Sequence, residues 1–212
     1  CTVPAGAEQE PTSANRVEGD TIYLQQVAPL APVIDGNLDD ACWQTAVTLS
    51  DFLQTRPVPG APAARPTEVL LCRGKRHLHF AFRCHEDPAR ISAFQTRPDG
   101  SFEDRDDSIS IQIDSFHDHR RAYEFATNPL GTKVDIKWDN LDWDGLWEVA
   151  AKIYDWGWAA EGAIDLSCLS YPSAAQVVGI NFFREAQRSR ERSAWRYLPL
   201  SLIHISEPTR PY

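Results

Sequence analysis

The sequence of 212 residues contains no methionine, and no hydrophobic run approaches the ~20 residues that a membrane-spanning helix requires. Without methionine, the Met–His haem ligation used by some sandwich-shaped electron-transfer domains is excluded for this segment. The chain carries no recognisable signal peptide. Basic residues are also few, with 21 Lys and Arg against 30 Asp and Glu and a net charge of −9. This balance argues against nucleic acid or an anionic membrane surface as a partner.

Several chemical motifs are missing as well: a Gly-rich phosphate loop, a Gly-x-Ser-x-Gly turn and a Cys-x-x-Cys pair. The five cysteines are an odd number and too few for a disulfide scaffold. A hairpin centred on Lys75 pairs Cys72 with Leu78, so Cys72 and Cys84 do not face each other. We interpret both as small buried hydrophobes. Cys1 is either the lipidated first residue of a bacterial lipoprotein or the start of a fragment.

The two ends of the chain differ from its middle. Residues 1–28 contain little to bury, and their Pro, Ala, Glu and Ser content predicts a disordered leader or linker. Residues 200–212 can be encoded by nucleotides that look like a widely used transposase sequencing adaptor. We interpret them as an artefactual tail and exclude them from fold reasoning. One domain at 29–199 is left, and we expect the natural chain to continue beyond it.

Apolar and polar residues alternate through most of this domain, as in 108–114, where three isoleucines alternate with polar side chains. Turn signals separate such runs at spacings of roughly 10–12 residues. Short helical segments are predicted only at 38–46 and 88–93. The pattern predicts an all-β fold, an antiparallel β-sandwich with one or two short helices.

Three groups of side chains invite a metal interpretation. Neither His77 with His79 nor the segment 117–119 offers a third ligand for zinc. Residues 140–145 resemble the start of a calcium loop, but Ala151 stands where that loop needs its glutamate. We predict no metal and no cofactor, with structural calcium as the less favoured alternative. With 30 acidic residues, a pair of carboxylates carries no specific signal for glycoside hydrolysis.

Seven tryptophans are present, and flat aromatic rings can stack on the apolar faces of sugars. Those in or beside apolar runs are predicted to be buried: Trp43, Trp138, Trp147 and Trp158. Trp143 lies in a polar, Gly-rich turn, and Trp195 lies in the polar segment 192–196. These two are candidates for contact with a ligand.

Residues 32–43, Pro-Val-Ile-Asp-Gly-Asn-Leu-Asp-Asp-Ala-Cys-Trp, resemble the opening motif of family 9 carbohydrate-binding modules. The similarity continues through 66–71, 78–84 and 107–114 and ends at 178–182. It covers nearly all of the predicted domain.

A variant of this family shows further similarity in 115–118, 123–131 and 143–148. The variant stands at the N-terminus of bacterial envelope proteins, before a β-barrel-like region of unknown function. The resemblance implies a non-catalytic domain that binds a glycan or oligosaccharide in the periplasm, at the outer membrane or outside the cell. It also implies a missing C-terminal domain as a partner, in a protein linked to carbohydrate catabolism or O-glycosyl hydrolysis.

The resemblance also implies a site, because founding members clamp a sugar between two aromatic rings. Phe102 and Trp195 fall nearest those two positions. Further candidates for carbohydrate binding are Arg105, Gln112, Asn181 and Trp143. Ser110 and Ala126 replace a charged pair that hydrogen-bonds sugar hydroxyls in the founding modules. Loss of such a partner costs roughly 1–3 kcal/mol, so we expect weak or relic binding.

Two other functions stay open. The first is a structural or docking domain that packs against the missing C-terminal region, which predicts an exposed apolar patch. The second, less favoured, is part of a glycoside hydrolase, which requires two carboxylates at a fixed separation in one cleft.

Overall fold

The computed structural model describes residues 15–18, 21–24, 31–98, 102, 105–137, 140, 142–171 and 178–197. Over these ranges the chain is mostly β-strand, and the strands pair antiparallel. Two sheets enclose one main hydrophobic core. The predicted all-β antiparallel sandwich is confirmed.

The strands, numbered along the chain, form three sheets. In spatial order the five-stranded sheet contains β10 (Trp147–Tyr154), β11 (Gly157–Asp165), β6 (His77–His85), β5 (Thr67–Arg73) and β3 (Val47–Leu49). The six-stranded sheet contains β4 (Leu53–Arg56), β13 (Glu191–Ala194), β12 (Gly179–Ala186), β7 (Ser108–Asp114), β8 (Tyr123–Thr127) and β9 (Lys133–Lys137). A two-stranded sheet pairs β1 (Arg16–Glu18) with β2 (Thr21–Tyr23).

Alternate side chains from both large sheets fill the core between them. The rings of Phe82 in β6 and Phe182 in β12 meet edge to face, with 6.0 Å between their centroids. Burying a side chain of this size contributes about 1.5–3 kcal/mol, which explains why the apolar positions recur with a period of two. The predicted burial of Trp43, Trp147 and Trp158 is confirmed, whereas Trp138 lies outside the described residues.

The β5–β6 hairpin corrects the predicted register by one residue. Cys72 lies opposite His79 rather than Leu78, because the tight connection begins at Gly74 and Arg73 pairs with Leu78. This register puts the alternate residues Val69 and Leu71 on the same face as Phe80 and Phe82, inside the core. Both cysteines are buried, as predicted, but they lie on opposite faces of the sheet, whereas the predicted register had placed them on one face.

The helix predicted at 38–46 is only four residues long, α1 (Ala41–Gln44). The preceding acidic residues stabilise turns instead of the helix. Asp35 Oδ1 accepts from the Asn37 N–H, and Asp40 Oδ2 accepts from the Val33 N–H. The second predicted helix is a single 3-10 turn at Pro88–Arg90; similar turns lie at Leu166–Cys168 and Gln187–Ser189.

The predicted leader needs a correction, since β1 and β2 lie within 1–28. Ile22 and Leu24 pack against the main core, which anchors this hairpin and explains its order. Residues 1–14 and the predicted tail at 200–212 lie outside the described residues, so the domain boundaries stay predictions. No helix in the described part of the chain is long and apolar enough to cross a membrane.

Candidate functional site

The central part of the outer face of the five-stranded sheet is covered by chain. Helix α1 packs there, and a second hydrophobic cluster forms beneath it: Cys42, Trp43, Leu70, Cys72 and Ala81. We call this outer surface the covered face. Its apolar contents serve the fold and leave little surface for a ligand.

Glu161 of β11 fixes the covering segment and is itself completely buried. Its Oε1 accepts from the backbone N–H groups of Asp35 and Gly36, at 3.0 and 2.9 Å. Its Oε2 accepts from Trp43 Nε1 at 3.1 Å. Burial raises the pKa of Glu161, and these three donors oppose that shift. Gly36 has a φ of +87°, and a Cβ there would lie 3.2 Å from the Ala151 backbone. The motif at 32–43 is therefore structural.

The outer face of the six-stranded sheet, here called the open face, carries a row of polar side chains. Gln112 of β7 lies directly between Asn181 of β12 and Glu124 of β8 in the strand register. Gln112 Nε2 donates to Glu124 Oε2 at 3.1 Å. All three side chains keep part of their surface exposed. The predicted residues Gln112 and Asn181 are thus brought together.

Phe183 of β12 lies in the next row of the open face. Its neighbours across the strands are Ala194 and Ser110, and Ser110 in turn lies opposite Ala126. Because these neighbours are small, the half-buried Phe183 ring projects farther from the sheet than the other side chains in its row. The Arg192 guanidinium carbon lies 4.8 Å from the ring centroid.

A charged row borders Phe183 on the side away from Gln112. Glu185 accepts from Arg56 at 2.7 Å and lies 3.2 Å from Arg192 Nε. In the described part of the chain, the open face therefore presents the Phe183 ring between a polar row and a charged row. Rings flanked by such groups suit ligands with both apolar faces and hydroxyls.

Asn181 also has a structural task. Its Oδ1 accepts from the Arg196 N–H at 3.1 Å and its Nδ2 donates to the Arg196 carbonyl at 2.9 Å. The side chain thereby fixes the backbone that follows β13.

The two candidate tryptophans lie on the core side of the six-stranded sheet. Trp195 is only 4% exposed, packs edge to face against Phe182, and has the Arg196 guanidinium 3.8 Å from its centroid. Trp143 is half-buried against Tyr123 and Phe125, whose side chains point inward. The expectation that Trp195 is an exposed platform is corrected, because Phe182 and Arg196 occupy the surroundings of its ring. Sugar-binding roles for both residues stay predictions.

Phe102 and Arg105 lie in the segment that leads into β7. Phe102 is 8% exposed, which corrects the expectation of an exposed ring, while Arg105 is exposed. Nearby, the buried Asp106 accepts from the N–H groups of Phe94 and Gln95 and from Asn128 Nδ2. Phe94, whose N–H is held by Asp106, has a side chain that is 70% exposed.

The described residues contain no group of three His, Cys, Asp or Glu placed to hold a metal ion. His77 and His79 lie on the same face of β6, with 5.7 Å between their ring centroids, and burial, with repulsion from His77, lowers the pKa of His79. The acidic residues of 140–145 that are described are exposed. The possibility of structural calcium stays a prediction.

The sequence analysis missed Phe183, Glu124, Glu185 and Arg192. One signal for Phe183 was present: an apolar residue at an outward position next to the inward Phe182. The charged partners gave no local signal, because Arg56 and Glu185 meet only through the pairing of β4, β13 and β12.

Comparison with known proteins gives matches at the level of structure. No family model matches the chain, and no curated protein matches it. A family 9 carbohydrate-binding module from Caldicellulosiruptor kristjanssonii in complex with glucose has a TM-score of 0.57 and 19% identity, covering 81% of this chain and 83% of the module. Its complex with cellotriose gives 0.54 and 19%, covering 77% of each chain.

A third similar structure is from Bacteroides uniformis and is inferred to be a carbohydrate-binding protein. Its TM-score is 0.55 at 12% identity, covering 74% of this chain and 80% of that one. The described chain therefore has the fold of the family 9 carbohydrate-binding modules.

Proposed function

We propose that this domain binds carbohydrate without catalysing a reaction, and that it does so on the open face around Phe183. The observation that carries this proposal is the Phe183 ring standing between the Gln112–Glu124 pair and the Arg192–Glu185 pair. The fold shared with glucose- and cellotriose-bound modules supports it.

The chemistry of the face suits a sugar. The apolar C–H groups of a pyranose pack on the phenyl ring, and its hydroxyls exchange hydrogen bonds with Gln112, Glu124 and Arg192. Ser110 and Ala126 supply no charge beside the ring, so each hydroxyl left without a partner costs about 1–3 kcal/mol. We therefore expect binding weaker than micromolar.

The predicted clamp between Phe102 and Trp195 is the competing placement of the sugar. It requires both rings to leave their buried positions, and Arg196 to move away from Trp195. In that placement Arg105, Asn181 and Trp143 would serve as further contacts.

Isothermal titration with glucose and cellotriose tests the proposal. We expect measurable heat with at least one sugar, and at least about tenfold weaker binding in Phe183→Ala. Phe116→Ala, which removes a partly exposed ring beyond the end of β7, is the matched control and should leave binding unchanged. Binding that survives Phe183→Ala but is lost in Trp195→Ala would favour the clamp. Absence of heat with any glycan would refute the function.

The buried carboxylates support a non-catalytic role. Glu161, Asp106 and Asp135 all accept hydrogen bonds from backbone N–H groups. Glu161 and Asp135 also accept from the indole N–H of Trp43 and Trp147. Carboxylates held in this way are poorly placed to exchange protons with a glycosidic oxygen.

The wider setting is part of the same proposal. The domain belongs to the N-terminal part of a longer bacterial envelope protein, in the periplasm, at the outer membrane or outside the cell, and serves carbohydrate catabolism. Sequencing the uninterrupted gene on both sides tests this setting directly.

A second candidate is a docking domain for the missing C-terminal region. Large apolar side chains that are more than half exposed favour it: Val33, Val58, Phe94 and Leu146. These side chains lie on separate connecting segments. If the downstream region covers them, the isolated domain should self-associate and the longer natural chain should not. Sedimentation velocity of the isolated domain and of the longer chain tests this role.

A further inference from the structure

Two cysteines meet on the covered face. Cys42 lies in α1 and Cys72 in β5, and both belong to the cluster with Trp43, Leu70 and Ala81. They are 7% and 2% exposed, α1 packs directly on β5, and the two thiols lie close enough to influence each other's pKa. Two elements separated by 22 residues of chain thus meet where these two cysteines lie.

The other described thiols are separated from this pair. Cys84 is buried in the main core on the opposite face of the five-stranded sheet. Cys168 lies in a 3-10 turn and packs against that same core. Among the described cysteines, Cys42 and Cys72 are therefore the pair placed to bond with each other.

We propose that Cys42 and Cys72 form a disulfide when the protein folds in an oxidising compartment, and that this bond fastens α1 to β5. The inference is independent of sugar binding. Envelope and extracellular proteins meet such conditions, whereas reducing cytosol keeps thiols free.

The oxidant is a disulfide, either a small molecule such as oxidised glutathione or a protein disulfide. One cysteine thiolate attacks it, forms a mixed disulfide and releases one thiol. The second cysteine thiolate then displaces the remaining half of the oxidant. The two cysteines lose two protons and two electrons, and the oxidant is reduced to two thiols.

Burial determines when this exchange takes place. It raises the pKa of Cys72 to about 12 and also raises the pKa of Cys42, so neither folded thiol is readily ionised. Because the thiolate is the attacking form, we expect fast bond formation during folding and slow formation afterwards. Once formed, the bond is buried, so reducing agents reach it slowly.

Peptide mapping of the unchanged chain tests the proposal. The protein is refolded with reduced and oxidised glutathione, alkylated without reduction, and digested with trypsin and a Glu-specific protease. Arg56 and Arg65 precede proline and resist trypsin, so Cys42 is released in 19–68 and Cys72 in 69–73. Cys84 is released separately in 84–86. Because Cys42, Cys72 and Cys84 fall in three different peptides, the masses of the linked peptides show which two cysteines are joined.

We expect peptide 19–68 joined to 69–73 in most molecules, two hydrogens lighter than the sum of the separate peptides, with Cys84 and Cys168 alkylated. Refolding with reductant and then adding oxidant should slow the linkage strongly. The matched control Cys168→Ser should retain the bond. The bonded form should melt about 5–10 °C above the reduced form. Alkylated Cys42 and Cys72 after oxidative refolding, or linkage to Cys84 instead, would overturn the proposal.

Discussion

The covered face and the open face are both outer surfaces of antiparallel sheets with the same alternating pattern, yet they are completed in different ways. On the covered face, Leu70, Cys72 and Ala81 point outward and are buried by α1. On the open face, Gln112 and Phe183 point outward and stay partly exposed. Where a segment elsewhere in the chain covers a sheet, its outer residues become core; where none does, they are available to a ligand.

Acidic residues illustrate the same difference. Glu161 beneath the covered face is fully buried and saturated by N–H donors. Glu124 and Glu185 on the open face are partly exposed and paired with other side chains, Gln112 and Arg56. The first kind of carboxylate fixes the backbone, and the second kind can exchange its partner for a ligand hydroxyl.

The largest expected effect comes from removing the anchor of the covered face. Glu161→Ala leaves the N–H groups of Asp35, Gly36 and Trp43 without their acceptor, which we expect to cost about 4 kcal/mol. Urea unfolding followed by tryptophan fluorescence measures the change. Glu148→Ala, an exposed glutamate on the same face of the adjacent strand β10, should change the free energy of unfolding little. Equal effects of the two substitutions would contradict the assigned anchor.

A second substitution sharpens the distinction between core and platform. Trp195 is packed against Phe182, so Trp195→Ala should lower the free energy of unfolding by about 3 kcal/mol. An exposed sugar platform would lose less than about 1 kcal/mol. Thermal or urea unfolding without sugar distinguishes the two, and a small loss would restore the clamp.

Local patterns were enough to predict the sandwich, because each strand carries its own period-two signal, as 108–114 does. The burial of Trp158 and Cys84 also followed from the apolar runs around them. These features depend on neighbours within one strand.

The candidate site could be predicted only in part, because its rows run across strands. Gln112 and Asn181 are 69 residues apart in the chain but adjacent in register. The polar sequence around Trp195 suggested exposure, yet Arg196 lies over its ring instead of leaving it free. A side chain's local sequence does not reveal which distant strand it will meet.

The next prediction in size of effect concerns the pH dependence of stability at the covered face. His79 is buried opposite Cys72, and desolvation, with repulsion from His77, lowers the pKa of His79. The folded state therefore prefers the neutral ring. The stability that His79 contributes is fully present above its pKa in the unfolded state, about 6.5. It is lost as the pH falls through the lower pKa of His79 in the folded state.

His79→Phe should consequently lose less stability than the unchanged protein between pH 7 and pH 5 in urea unfolding. Glu161 and Asp107 have raised pKa values and titrate in both proteins, so the difference between the two curves isolates His79. His77→Gln alters an exposed ring and should leave most of the acid-dependent loss in place. Parallel curves for His79→Phe and the unchanged protein would show that His79 is not the responsible group.

The smallest expected change in stability is on the open face. Phe183 has the small residues Ala194 and Ser110 as cross-strand neighbours, so Phe183→Ala removes few packing contacts and should cost less than about 1 kcal/mol. The same substitution should weaken sugar binding, so stability and binding separate at this position. Phe182→Ala, one residue away but facing the core, should lose about 3–5 kcal/mol. Because adjacent residues of a strand point to opposite faces, this pair tests the assignment within a single strand. Similar losses of stability at both positions would mean that Phe183 belongs to the packed interior and that the open face is not a ligand surface.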